Sequence, residues 1–187
     1  MIAASAPTED GIEIVPAAPV FTSREVIQPL PQQDSVPNGA LEPEPIPAAD
    51  SLAELVHQID TRRPLSAEMK CLAGAVYFEA RGEPLTGQLA VAQVIINRTE
   101  DGRFPRSYCG VVQQPGQFSF MRGARMPAIR EHSAAWARAR AIAEIAHRDL
   151  WHTQAADAVF FHARYVSPGW SRTKTRLAQI DTHIFYR

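Results

Sequence analysis

No stretch of this 187-residue chain holds an apolar run of membrane-spanning length, which requires about 20 residues, so none of it reads as a transmembrane helix. The opening Met1-Ile-Ala-Ala-Ser-Ala-Pro7 lacks the basic n-region and apolar core of a signal peptide. The expectation is that a leader or anchor precedes the chain, or that a lysis system carries it out. Basic and aromatic residues are scarce across residues 1–50, which hold one arginine and one aromatic, Phe21, against eight acidic residues and nine of the fifteen prolines. Such a composition cannot bury enough apolar surface to offset the entropy of ordering, so residues 1–50 are expected to form a disordered, acidic, Pro-rich linker. Pro43-Glu-Pro45-Ile-Pro47 favours extended polyproline geometry within it.

The remainder differs in sign. Residues 51–187 carry twelve acidic and eighteen basic residues, a net +6, and are long enough for one ordinary core. A cationic domain suits an anionic polymer. No nucleic-acid motif accompanies the charge, so no nucleic-acid partner is expected.

The segment from Cys71 to Arg98 organises the domain. Met69, Leu72, Ala73, Val76 and Ala80 recur at three- and four-residue steps, predicting a helix over 66–81. Glu79 falls three residues after Val76 and seven after Leu72, on the same face. A carboxylate on the apolar side of a helix loses hydration and resists ionising, the condition a general acid needs near neutral pH. The competing explanation is a structural ion pair with Arg81 or another arginine. Gly82 and Pro84 end the helix, leaving Glu83 in the connection. A second helix is expected over 86–99, buried almost all round, with Asn97 and Arg98 at its end orienting the following loop.

Several motifs in this order carry a resemblance: Tyr77-Phe-Glu-Ala-Arg-Gly-Glu-Pro84, Gly87-Gln88-Leu-Ala-Val-Ala, Ile96-Asn97-Arg98, Phe104-Pro105, Cys109-Gly-Val-Val, Gln114-Pro-Gly-Gln-Phe118-Ser119, Phe160-Phe-His-Ala and His183-Ile-Phe-Tyr186. From about Pro64 to Arg187 the chain resembles the SleB-type cell wall hydrolase family. The resemblance implies a lysozyme-like fold, cleavage of peptidoglycan glycan strands, Glu79 as the catalytic acid, Ser119 on the site floor, and no cofactor or metal. The fold expectation is therefore α+β, mainly α: a lysozyme-like helical domain over 51–187 with a small C-terminal β-hairpin. A wall-directed role places the chain in the cell envelope or periplasm, as a monomer with peptidoglycan as partner. In an oxidising compartment an even cysteine count favours a Cys71–Cys109 disulfide; two buried free thiols are the alternative. Neither cysteine lies in a CxxC or cysteine-protease context.

Elsewhere the capping pattern Ser51-Leu-Ala-Glu54 opens a short helix. A long loop spans 100–130 with a helical turn near 110–113, and a third long helix is expected over 131–147, with Arg138, Arg140 and Arg148 on its solvated face. A strand ending at His162, a turn at Pro168-Gly169-Trp170 and a returning strand over 182–186 make the hairpin. Gln88, Gln117, Phe118, Tyr165, Trp170 and Tyr186 are the candidates for binding sugar, by stacking and by hydrogen bonds to hydroxyls.

Two mechanisms compete at Glu79. A two-carboxylate glycosidase needs a partner, for which Glu83 and Asp181 are candidates. A lytic transglycosylase needs one carboxylate alone, acid first and then base, and without a firm partner for Glu79 it is the expected mechanism. Outside this class, a zinc amidase would draw on His147, His152 and Asp149, whose spacing is not HExxH, and a non-catalytic wall-binding module needs only the charge and the aromatics.

Overall fold

Among the described residues, serine opens four of the five α-helices. The hydroxyl of Ser51 accepts the Glu54 N–H, Ser66 that of Met69, Ser107 that of Gly110 and Ser133 that of Trp136, each satisfying one orphan donor of a first turn. These caps set α1 (Leu52–Gln58), α2 (Ala67–Ala80), α4 (Tyr108–Val112) and α5 (Ala134–His147). The remaining helix, α3 (Leu85–Glu100), starts after Pro84, whose fixed φ suits that junction. The structure, a computed structural model, describes residues 48–187. Most of the expected linker therefore lies outside the described residues. Its last residues attach to α1: Gln58 Nε2 donates to Ala48 O at 3.2 Å, and the Asp50 N–H donates to Glu54 at 3.0 Å.

Helices α2, α3 and α5 pack on one another and α1 covers their edge. The expected all-round burial of α3 is observed: Leu89, Ala90, Val91, Ala92, Val94 and Ile95 are fully buried. Each such Leu, Ile or Val contributes roughly 1.5–3 kcal/mol relative to an exposed side chain. Gln93 is buried among them but satisfied, donating to Trp151 O at 3.1 Å and accepting from Thr153 Oγ1 at 2.7 Å. Gly74 in mid-α2 has a packing reason, because a Cβ there would strike the Met126 side chain of the long loop. Helix α5 begins three residues later than the apolar pattern suggests, since Ser133 caps it after a turn closed by its own N–H on Arg130 O. Its arginines also depart from expectation. Arg138 is exposed, but Arg140 and Arg148 are half-buried, and Arg140 donates to Arg63 O.

The C-terminal hairpin is one part of a three-stranded antiparallel sheet in the order β1-β3-β2, formed by β1 (Phe160–Ala163), β2 (Arg176–Ile180) and β3 (His183–Tyr186). Strand β3 is central, pairing Phe161 with Phe185 on one side and Ile180 with His183 on the other. The expected partners β1 and β3 do pair, but the tight turn joins β2 to β3 through Asp181, which adopts a left-handed φ of 45° that aspartate tolerates. Strand β2 escapes the sequence because only Ala178 along Arg-Leu-Ala-Gln-Ile is buried. A 3-10 turn, Gly169–Arg172, occupies the β1–β2 connection.

The cysteines are joined. The Cys71–Cys109 disulfide clamps α2 to α4 across a sequence separation of 38 residues, a ring size for which a few kcal/mol of stabilisation is typical.

Candidate active site

Glu79 stands in the last turn of α2, one residue before the final helical position, Ala80. It is half-buried, and burial alone raises its pKa above the ordinary carboxylate value. Among the described residues no hydrogen bond or ion pair engages its carboxylate, which removes the competing explanation. Arg81, the nearest cation in sequence, stacks instead over the Tyr77 ring at 5.4 Å. Phe78 sets the other flank, edge-on to Tyr77 at 4.9 Å and stacked on Phe120 at 5.0 Å. These aromatic contacts anchor the last turn of α2, whose Glu79 carboxyl group is partly dehydrated and has no hydrogen-bond or ion-pair partner among the described residues, the electrostatic state of a general acid.

Glu83, four residues on, is in the opposite condition. Its side chain is 8% exposed and both oxygens are occupied: Oε2 accepts the Thr182 N–H at 3.4 Å, Oε1 accepts the Thr182 hydroxyl, and His183 Nδ1 lies 3.4 Å from Oε1. Burial lowers the pKa of His183, against the opposing pull of Glu83 and Asp181. Its Nδ1 is buried without a hydrogen-bond partner, close to Glu83 but out of bonding geometry.

The remaining candidates separate. Gln88 is a correction: at 1% exposure it faces inward, and its Nε2 donates to Glu83 O at 2.9 Å, so it braces the α2–α3 connection and does not meet substrate. Phe118 is a second correction, a core residue 3% exposed beside Phe120 and Phe161. Its neighbours Gln117 and Ser119 are exposed. Tyr186 is a third, buried with its hydroxyl 3.0 Å from His162 Nε2. His162 Nδ1 faces the Ala163 carbonyl at 3.0 Å. A carbonyl only accepts, so Nδ1 carries the proton and the Tyr186 hydroxyl donates to Nε2. That pair backs Trp170, half-buried in the 3-10 turn with its ring 5.6 Å from His162 and 5.5 Å from Tyr186. Tyr165 is 85% exposed. Asp181 is an exposed turn residue.

The histidines proposed for zinc have other neighbours: His147 Nδ1 lies 2.9 Å from the Tyr108 hydroxyl, and His152 lies 3.6 Å from Asp149. Among the described residues no three His, Cys, Asp or Glu gather as a ligand set.

Reasoning from sequence missed Thr182, His183 and His162. His162 and His183 are polar residues on strands and Thr182 belongs to the β2–β3 turn; the signal that betrays them is polarity at partly or fully buried positions, visible only once the sheet is assembled. Asn97 and Arg98 perform the expected task of orienting the next segment. Asn97 Nδ2 donates to Ala156 O at 2.6 Å and Ala158 O at 2.8 Å, and Arg98 Nε donates to Val159 O at 2.8 Å, immediately before β1.

The cell wall hydrolase family profile matches residues 82–186, beginning three residues past Glu79. The chain belongs to the cell wall hydrolase family. Relatives of this family include the spore cortex-lytic enzyme of Oceanobacillus iheyensis, 33% identical over 118 residues that cover 63% of this chain and 41% of that protein. The spore cortex-lytic enzyme of Bacillus subtilis is 31% identical over 118 residues, covering 63% of this chain and 37% of that protein. The chain thus spans about two-fifths of the length of these curated relatives. Among solved structures, the catalytic domain of the germination-specific lytic transglycosylase SleB from Bacillus anthracis is 27% identical with a TM-score of 0.54, the match covering 67% of this chain and 98% of that one. The catalytic domain of Bacillus cereus SleB gives 27% identity and a TM-score of 0.53, covering 70% and 99%.

Proposed function

We propose that this domain cleaves peptidoglycan glycan strands between N-acetylmuramic acid and N-acetylglucosamine as a lytic transglycosylase. The observation that carries the reading is Glu79, a half-buried carboxyl group with a raised pKa and no counter-ion, in a domain similar to one described as a lytic transglycosylase. Protonated Glu79 gives its proton to the glycosidic oxygen as the bond from the muramic C1 breaks. The resulting carboxylate faces the positive charge developing at C1 and then takes the proton of that sugar's own C6 hydroxyl. The C6 oxygen closes on C1, and Glu79 returns to its acid form. No water is consumed, and the product is a 1,6-anhydro sugar. The exposed Gln117, Ser119 and Tyr165, together with Trp170, are the surface available for glycan contacts in this scheme. The Cys71–Cys109 disulfide supports action in an oxidising envelope compartment or periplasm.

Mass spectrometry of muropeptides released by the full chain tests the reading. Products one water lighter than the reducing muramic species are expected. Reducing muramic ends would point to a two-carboxylate muramidase, free stem peptides to an amidase, and wall binding without release to a non-catalytic module.

A further inference from the structure

The Glu79 scheme leaves Glu83, a carboxylate whose side chain is only 8% exposed, without a task. Glu83 sits beyond the Arg81 C-cap, and its own N–H closes the turn on Ala80 O at 2.9 Å, so it is rigidly joined to the turn that carries Glu79. Its side chain reaches across to the β2–β3 turn, 99 residues away in sequence, where Thr182 gives it both a backbone N–H and a hydroxyl. The path is cut to fit it. A Cβ on Gly87 would lie 3.1 Å from Glu83 Cβ and 3.3 Å from Oε2, tighter than side chains normally pack, and in ordinary contact with Ile180 Cγ2 at 3.5 Å. From behind, Gln88 holds the Glu83 carbonyl. With a Thr182 donor on each oxygen and a side chain only 8% exposed, Glu83 is held in one place between the end of α2 and the β2–β3 turn.

On the transglycosylase reading, we infer that Glu83 is a positioning residue and not a second catalytic carboxylate: pinned by Thr182, it fixes the last turn of α2, and with it Glu79, against the β2–β3 turn. Thr182 is then the unrecognised partner of the site. Gly87 leaves room for this contact, because a Cβ there would press on the Glu83 side chain.

The test is a double-mutant cycle in the full chain, with Glu83→Gln, Thr182→Val and the two combined, read by initial rates of muropeptide release and by Tm. Misplacing Glu79 slightly should lower kcat about 10- to 100-fold while leaving KM within about a factor of two. The double variant should be no slower than the worse single variant, because both break one interaction. Thr182→Ser, which keeps the hydroxyl, should restore most of the rate, and the product should stay anhydro throughout. Additive losses, or lowered Tm with unchanged kcat, would overturn the positioning role. So would an inactive Glu83→Gln that is rescued by azide through formation of a glycosyl azide, the signature of a missing catalytic carboxylate. A wild-type chain that releases no anhydro product would fail the transglycosylase reading itself, and the inference with it.

Discussion

In α2, α3 and α5 the contacts are apolar and continuous, with Leu72, Val76, Leu89, Ile95, Ile142 and Ile145 fully buried in one cluster. The C-terminal sheet buries less: Phe185 and Ala178 reach that cluster, while much of β2 is exposed. What fixes the sheet in place is a small set of directed bonds, from Asn97 and Arg98 to the carbonyls before β1 and from Thr182, after β2, to Glu83. Dispersion and apolar burial are shared over many atoms and tolerate the loss of any one, whereas a directed bond is lost whole. The proposed acid stands on the first kind of structure, and the β2–β3 turn that holds Glu83 belongs to the second. Position within the site should therefore be more fragile than the fold.

The largest effect expected on either side of this contrast is at Glu79. Glu79→Gln keeps the size of the side chain but cannot cycle between acid and base, so turnover should fall about 10²- to 10⁴-fold with glycan binding retained. Stability should move the other way. The folded-state pKa of Glu79 is raised by burial, so above the unfolded pKa the charged form penalises the folded state, and the penalty grows as pH rises through the folded pKa. Thermal melts should show the Gln variant with the higher Tm at pH 7 and the difference closing below the ordinary carboxylate range. A variant that is less stable at pH 7 would mean an unseen partner for the carboxylate.

Reducing the disulfide should cost about 2–4 kcal/mol, lowering Tm across the helices. A smaller effect, confined to the sheet, is expected from Asn97→Ala, which strands the carbonyls of Ala156 and Ala158 at roughly 1–3 kcal/mol. Hydrogen exchange should then quicken in β1 and β3 before it does in α3. Arg98→Met sharpens the point. Arg98 is 4% exposed with Nη1 unpartnered and its pKa pulled down to about 10 by burial. Its guanidinium stacks over Phe104 at 5.0 Å but pairs with no carboxylate, so replacing it relieves a buried charge while losing one hydrogen bond and that stacking, and should cost less than Asn97→Ala. The smallest effect belongs to Tyr165→Ser, which should change stability by less than about 0.5 kcal/mol and, if Tyr165 touches glycan, weaken retention on insoluble wall.

The same contrast explains what the sequence revealed. Helices α2 and α3 are legible to within a residue or two because apolar burial leaves a 3.6-residue period. Glu79 is legible because it interrupts that period with a charge. Gln88 and Phe118 mislead for one reason: an amide and an aromatic look suited to sugar, but whether they face inward depends on neighbours distant in sequence. Thr182 and His183 are invisible for a related reason. Their importance comes from Glu83, 99 residues away, through bonds that leave no periodicity. The turn at Asp181 is legible as a turn residue, but strand β2 before it is not, because only Ala178 along it is buried.

The Cys71–Cys109 bond also determines what happens when the chain is cut. The ring it closes contains the rest of α2, all of α3 and the connection 101–107, where Gly102, Arg103 and Arg106 are exposed and offer the kind of site proteases prefer. Hydrolysis after Arg103 or Arg106 would open the backbone without releasing a fragment. The piece bearing Glu79 would stay attached through sulfur to the piece bearing α4, α5 and the sheet. On a gel such a nicked molecule should run as one band until reductant is added and as two afterwards, and it should keep working in a protease-rich surrounding for as long as that surrounding stays oxidising.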